Sequence, residues 1–417
     1  MSKWTRAPLS RCVASLDAGV SVNAEDRPHR AGEIGVLKTS ALSRFVFHPE
    51  QNKAVIQAER RLVAEPILAN SILVSRMNTP ALVGESCYVA EAHETLFLPD
   101  RVWQLKLRAE VPTNVRWLSY VLQSQEYRHY VEVHATGTSG SMKNLPKSAL
   151  LSLLIRYPDA PEQRQIAAVL ASIDSAIKQT AAIVEKLKQV KQGLLHDLLT
   201  RGVDVNGELR SSLPALIPLL PLSELVYVNP KTVIPLPMDA EMSFVPMGAT
   251  SESGEITSAT SRKWGIAGSG MKLFQDGDVL VAKITPCFEN GKGGLARSLK
   301  NGFGFGSTEF HVLRCKLDTN PSFIHYWTIS PSFRSQGESF MTGTAGQRRV
   351  MTEFFEKFLV PAFPFEEQTQ IAQILDAQMS RINLEVATLQ KLKEQKSGLM
   401  DDLLTGRVRV TPLLAGV

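Results

Sequence analysis

The sequence predicts an α/β protein in which two pseudo-symmetric α/β domains are joined by two long antiparallel coiled-coil helices. Three observations lead there. A stretch of about forty residues occurs twice at a constant spacing, so that Glu162 aligns with Glu367 without a gap. Each copy carries apolar residues at heptad spacing. Each copy also follows a globular stretch whose motifs return in the same order.

The first copy runs from Glu162-Gln-Arg-Gln-Ile-Ala167 through Lys191-Gln-Gly-Leu-Leu195 to Asp197-Leu-Leu-Thr200. The second runs from Glu367-Gln-Thr-Gln-Ile-Ala372 through Lys396-Ser-Gly-Leu-Met400 to Asp402-Leu-Leu-Thr405. In the first, Ile166, Leu170, Ile173, Ile177, Thr180, Val184, Leu187, Lys191, Leu194 and Leu198 advance by alternating steps of four and three. Ile371, Leu375, Gln378, Ile382, Glu385, Leu389, Leu392, Lys396, Leu399 and Leu403 do the same in the second. So narrow a stripe fits a partner helix better than a broad core face. Pro161 suits a first helical turn, and Glu162 and Glu367 sit where the helix dipole favours carboxylates.

Two copies of one unit associate about a pseudo-two-fold axis, which makes the helices antiparallel. The polar seam residues then select a register. Setting Lys191 opposite Glu385 and Thr180 opposite Lys396 aligns Ile177 with Leu399, Val184 with Leu392 and Leu187 with Leu389. Sliding by one heptad puts Glu385 against Val184 and Lys396 against Ile173. A charge on an apolar partner costs more than a paired one, so the first register is expected. Its helix–helix interface is Ile177, Val184, Leu187, Lys191, Glu385, Leu389, Leu392 and Leu399.

Taken in order, residues 1–160 form the first domain, 161–202 the first long helix and 203–220 a linker. Residues 221–365 form the second domain, 366–407 the second long helix and 408–417 a tail. In the first domain Ile72-Leu-Val-Ser-Arg76 reads as a strand ending at the turn Asn78-Thr-Pro80, and Val102 to Leu107 alternates like a half-buried strand. Residues 114–133 have helical character, and Thr136-Gly-Thr-Ser-Gly140 is a loop. The scheme restarts at Pro221-Leu-Ser223, which echoes Pro8-Leu-Ser10. Val279 to Lys283 with Thr285-Pro286 echoes the Arg76 strand, and Phe310 to Arg314 echoes the strand at 102. Asn320, Tyr326, Ser330 and Arg334 match Asn114, Tyr120, Ser124 and Arg128, and Thr342-Gly-Thr-Ala-Gly346 matches the first Thr-Gly loop. The front parts, about 11–95 against 224–300, match only faintly, as expected of two recognition surfaces on one frame.

At 417 residues the chain has room for two cores. A net charge of +5 permits nucleic-acid binding without requiring it. Cys12, Cys87, Cys287 and Cys315 lie far apart, which suggests neither a zinc ribbon nor a disulfide framework and fits a reducing cytoplasm. Residues 213–228 are apolar, but Pro214, Pro218, Pro221 and Glu224 interrupt them and prevent a membrane span. No Walker spacing, HExxH or methyltransferase Asn/Asp-Pro-Pro-Tyr tetrapeptide occurs, which points to a non-enzymatic chain. A helix of about forty residues is roughly 60 Å long, enough to act as a ruler between DNA segments one turn, about 34 Å, apart.

The Glu-Gln-x-Gln-Ile-Ala pattern, the Lys-Gln-Gly-Leu-Leu-x-Asp-Leu-Leu-Thr pattern and the preceding Thr-Gly-Thr-x-Gly loop resemble the specificity subunit of type I restriction–modification systems. So do Phe274 to Lys292 and Gly306 to Arg314, and the resemblance covers essentially the whole chain. It implies two target-recognition domains, each reading one half of a bipartite asymmetric site on double-stranded DNA. It implies helices that set the spacing and dock two methyltransferase subunits, with room for restriction (translocase/endonuclease) subunits. The family's subunit has no catalysis or cofactor of its own; S-adenosylmethionine belongs to the partner methyltransferase. No membrane is implied. Only the second loop is followed by the Gln that family members often carry: Gln347-Arg-Arg-Val350 stands where the first copy has Ser141-Met-Lys-Asn144.

DNA contact needs cations for phosphates and forked or amide side chains for base edges. The candidates are Arg76 and Asn78 at a strand end, Lys283 as their counterpart, Lys292 among glycines, and Lys143, Arg348 and Arg349 after the Thr-Gly loops. The alternative is a coiled-coil scaffold protein that joins partners without sequence-specific DNA binding. Salt-dependent, sequence-selective binding separates the two.

Overall fold

The computed structural model describes residues 4–137, 141–266, 270–344 and 346–410. Residues 138–140 and 345 of the two Thr-Gly loops, and 411–417 of the tail, lie outside the described residues. The chain forms two compact units. One is Met1–Ala181 with Thr388–Val417; the other is Ala182–Ala387. Each unit therefore contains a globular part and one half of each long helix, Ala160–Arg201 and Phe365–Thr405.

The same antiparallel sheet is built in each unit. In the first its strand order is Ser86–Val89, Ser71–Ser75, Val102–Leu107, Val13–Ala18. In the second it is Gly293–Leu295, Val279–Ala282, Phe310–Cys315, Val226–Val228. The central strands are short apolar runs because both of their faces are covered. Ile72 and Val74 enter a core with Trp117, Leu118 and Tyr127, while Leu73 enters another with Leu37, Cys87 and Leu96. Likewise Val279 and Val281 join Phe323, Phe333 and Phe354, while Leu280 and Ala282 join Phe274 and Phe310.

The front faces differ, as their faint sequence match implied. The first unit adds a five-stranded sheet ordered Ala24–Glu25, Asn52–Val55, Gly35–Leu37, His93–Phe97, Pro66–Ile67. The second adds a four-stranded sheet ordered Thr260–Lys263, Glu241–Val245, Phe303–Gly306, Lys272–Gln275.

The helical stretch at 114–133 is two helices, Val115–Val121 and Gln125–His134, because the Asn114 and Ser124 side chains each cap a helix start. Asn320 and Ser330 do the same for Pro321–Ile329 and Pro331–Ser339. The repeated Glu-Gln motif explains how each globular part holds its long helix. Gln163 Oε1 accepts from the Asn114 amide at 2.8 Å and its Nε2 donates to the Pro158 carbonyl at 2.9 Å. Gln368 repeats this with Asn320 at 2.9 Å and Phe363 at 2.8 Å. Glu162 is buried against Arg409, at 2.6 and 2.8 Å, and the Trp4 indole N–H at 2.8 Å. Glu367 receives Arg210 and the Val203 amide. The connector at 203–220 is thus partly structured: it supplies Arg210, a Val203–Leu209 bridge and the start of the strand Leu219–Pro221.

Within each unit the helix halves run antiparallel. In the first, Glu162 meets Arg409 and Asp174 meets Lys396. In the second, Val203 meets Glu367 and Leu187 meets Gln378. The expected register is wrong by one heptad. Lys396 lies not opposite Thr180 but on Asp174, at 2.8 Å, and 5.7 Å from the centre of the Tyr120 ring. The slid register sets Lys396 against Ile173, but Asp174 stands one residue beyond and neutralises the ammonium. Tyr120 donates to the same carboxylate at 2.7 Å. Nor does Lys191 pair with Glu385: among the described residues neither forms an ion pair with the other. Lys191 instead lines a cavity of about 390 Å³ with Met379, Glu255, His325 and Asp376. Of the expected interface, Val184 and Leu187 are buried, and Ile177, Lys191, Glu385, Leu389, Leu392 and Leu399 are half-buried.

One 18-residue window of the first long helix, rather than residues 213–228, is apolar enough by composition to cross a membrane, with a mean hydropathy of 1.3. Of that window 22% is buried, and along the helix as a whole the stripe residues Ile166, Leu170, Val184 and Leu187 are buried.

Burial lowers the Lys191 ammonium below its ordinary range, with Glu255 opposing the shift. Replacing it by an apolar chain of similar length removes that desolvation cost. Lys191→Met is expected to raise stability by about 1 kcal/mol, read as a higher urea midpoint. A lower midpoint would show that Glu255 compensates the charge.

Candidate nucleic-acid interface

Three of the seven candidate DNA contacts, Asn78, Lys143 and Arg349, lie on a small ribbon present in each unit, and Arg76, Lys283 and Arg348 border it. In the first unit Met77–Asn78 pairs with Lys143–Asn144, which also bridges to Thr136. In the second, Met341–Thr342 pairs with Arg349–Val350, and Arg349 bridges to Ile284. Each ribbon therefore joins the end of the central strand to the stretch after the Thr-Gly loop. The sheet holds it in place. The Arg76 amide donates to the Arg101 carbonyl at 2.9 Å, and the Lys283 amide to the Glu309 carbonyl at 2.9 Å. His311, buried in the sheet, is hydrogen-bonded to the Val350 carbonyl at 2.9 Å and to Asn229 at 2.9 Å. Burial pushes this imidazole down to about 4, against the pull of the Val350 carbonyl. It is a neutral tie at physiological pH.

The side chains of the two ribbons are engaged differently. In the first unit Arg76 Nε reaches Asn144 Oδ1 at 3.4 Å, and its guanidinium lies 5.9 Å from the Trp103 ring centre. Lys143 Nζ donates to the Gly137 carbonyl at 2.9 Å. Asn78 uses its amide locally, with the Ser75 hydroxyl and the Thr79 amide. In the second unit Arg349 is gripped through Nε and a terminal nitrogen by Glu309, at 3.0 and 2.9 Å, and its other terminal nitrogen donates to the Gln347 carbonyl. Lys283 lies 3.9 Å from Glu309, and burial lowers its ammonium while Glu309 opposes the shift. Arg348 lies 3.6 Å from Glu289.

Lys292 stands apart from the ribbon. It is half-buried and its carbonyl accepts from the Ala282 amide at 3.0 Å. The glycines around it serve the protein's own backbone: a Cβ on Gly293 would come within 2.3 Å of the Leu280 carbonyl oxygen.

Sequence reasoning missed Arg101 and Glu309. They occupy equivalent places, each accepting the amide of the residue that ends the central strand, yet carry opposite charges. The echo between the strands at 102 and 310 would have aligned them, but nothing in either strand says that the preceding residue reaches the ribbon. Among the described residues no group of His, Cys, Asp and Glu side chains is arranged to hold a metal ion.

Comparison with known proteins agrees with this doubled architecture. Residues 237–394 match the family model of the type I restriction modification DNA specificity domain. Over 197 residues the chain is 40% identical to the type I restriction enzyme EcoEI specificity subunit of Escherichia coli, a match covering 47% of this chain. It is 37% identical over the same length to the EcoAI specificity subunit of that organism. The match spans 33% of the length of each of these relatives. A putative type I restriction enzyme MjaX specificity subunit from Methanocaldococcus jannaschii is 24% identical over 307 residues, covering 70% of this chain and 68% of that one. The fold is shared with the type I restriction-modification system S subunit from M. genitalium, at a TM-score of 0.55, 14% identity and 96% coverage of both chains. It is also shared with a chain from a structure of type I R-M complex assembly and conformational transition, at a TM-score of 0.59, 13% identity and coverage of 97% and 98%.

Residues 237–394 are thus similar to the type I restriction modification DNA specificity domain. The resemblance to type I specificity subunits drawn from the repeated motifs stands on the family model and on these relatives.

Proposed function

We propose that this chain is the non-catalytic DNA sequence-recognition subunit of a type I restriction–modification complex, acting in the cytoplasm. Residues 1–160 and 221–365 are the target-recognition domains, each reading one half of a bipartite asymmetric site. Residues 161–202 and 366–407 are the spacer helices, 203–220 the linker and 408–417 the tail. The helices set the separation of the half-sites and dock two methyltransferase subunits, which bring S-adenosylmethionine; restriction subunits join the same assembly.

The observation that carries this reading is one sheet and one ribbon built twice with different front faces, the second copy lying in the stretch that matches a DNA specificity domain. A chain that reads two unlike half-sites needs a common frame with unlike surfaces. The test is a genome-wide map of methylated bases in host DNA, with and without this gene. One split motif with a nonspecific spacer is expected to vanish on deletion. Unchanged methylation would overturn the reading.

A further inference from the structure

We infer that the first unit carries a phosphate-binding site, formed by Arg76, Arg101 and Lys143, whose counterpart in the second unit is closed by its own carboxylates. The ligand is the sugar–phosphate backbone of a nucleic-acid duplex. The inference rests on the DNA-recognition reading and deepens it, since it assigns the backbone contacts unequally to the two domains.

Three cations lie on neighbouring segments at the first ribbon. Arg76 and Arg101 are joined by a main-chain hydrogen bond of 2.9 Å, and Lys143 faces Asn78, two residues after Arg76. Arg101 is exposed and Arg76 and Lys143 are half-buried. Among the described residues no ion pair joins any of the three to a carboxylate; Asp100 offers Arg76 only its main-chain carbonyl, at 3.5 Å. Asn144 and the Trp103 ring brace the Arg76 guanidinium, so part of the ordering cost of a contact is met in advance. Like charges on neighbouring segments repel, and a bound phosphate relieves that repulsion while accepting charge-assisted hydrogen bonds.

At the second ribbon the cations already have acids. Arg349 makes a two-pronged pair with Glu309, Lys283 shares the same carboxylate, and Arg348 lies beside Glu289. A phosphate there must displace a carboxylate from a forked pair, which is among the stronger hydrogen-bonded geometries. Glu309 stands where Arg101 stands, so this single exchange of sign separates an open site from a closed one. Arg349 is then a strut that fixes the ribbon, and Glu309 positions it.

The test measures binding of the full-length chain to a labelled duplex of mixed sequence, between about 50 and about 200 mM KCl, as the slope of log affinity against log salt. Arg76→Ala, Arg101→Ala and Lys143→Ala are each expected to reduce the slope by about 0.9, the share of one phosphate contact. Arg101→Lys should retain the slope, which excludes a loss through misfolding. Lys283→Ala and Arg349→Ala should leave it unchanged, and Glu309→Arg should steepen it. Wild-type binding with no change in the three first-unit variants would overturn this site and leave the proposed function standing. Equal losses from both ribbons would overturn the asymmetry. A wild-type chain with no salt-dependent duplex binding would overturn the site and the DNA reading together.

Discussion

Exchanging residues 1–160 for the matching domain of a relative is expected to replace one half of the methylated site and leave the other half as it was. The physical reason is the separateness of the cores. The first unit's sheet packs on Trp117, Tyr127 and Leu150 on one face and on Leu37, Cys87 and Leu96 on the other. The second unit's sheet packs on its own phenylalanines. The globular part meets its long helix through a few directional bonds, Trp4 to Glu162, Asn114 to Gln163 and Tyr120 to Asp174, so a donor domain needs those partners to seat correctly. Each mismatched base pair costs about 1–3 kcal/mol in typical sites. A half-site of several changed pairs therefore loses affinity by orders of magnitude. Methylome sequencing of the exchanged strain reads the result. Change in both halves, with the helices untouched, would refute the modular assignment.

Glu162→Ala is expected to be the most destabilising single substitution, at about 3–5 kcal/mol, because it strands a guanidinium that was built around a buried carboxylate. The Glu162 side chain is fully buried, and it accepts from Arg409 twice and from the Trp4 indole. The double variant Glu162→Ala/Arg409→Leu should recover much of the loss; if it is no better than the single variant, the pair is not the source of the stability. The pH dependence has a definite sign. Burial by itself raises the Glu162 carboxyl, but Arg409 and Trp4 outweigh it and hold the group below its ordinary 4.5. A carboxyl lowered on folding contributes stability that is fully present above pH about 4.5 and is lost as the pH falls below that toward the folded value. The gap between wild type and variant in urea midpoint should narrow over that window. Glu367, held by Arg210 in the second unit, is the equivalent position.

The pairing of charges was the least legible part of the chain. The seam residues alone leave Lys396 without a partner in the slid register, because Asp174 lies one position off the seam. Lys191, at the matching place in the other helix, lines a cavity with Met379, Glu255 and Asp376 and, among the described residues, forms no ion pair, so two aligned lysines have different surroundings. At the ribbons, Arg76 and Lys283 were identified from strand ends, but Arg101 and Glu309 approach from another strand. Neither one's relation to the ribbon can be read from local spacing.

The sequence by itself determined the doubled unit, the antiparallel heptad helices and the repeated Glu-Gln motif at the start of each helix. These depend on periodicity and repetition, which are properties of neighbours along the chain. Only the tertiary structure decided the register of the helices and which cations keep their charge available. Both turn on side chains from segments far apart in sequence meeting within about 4 Å, where a single carboxylate or its absence changes the electrostatic balance.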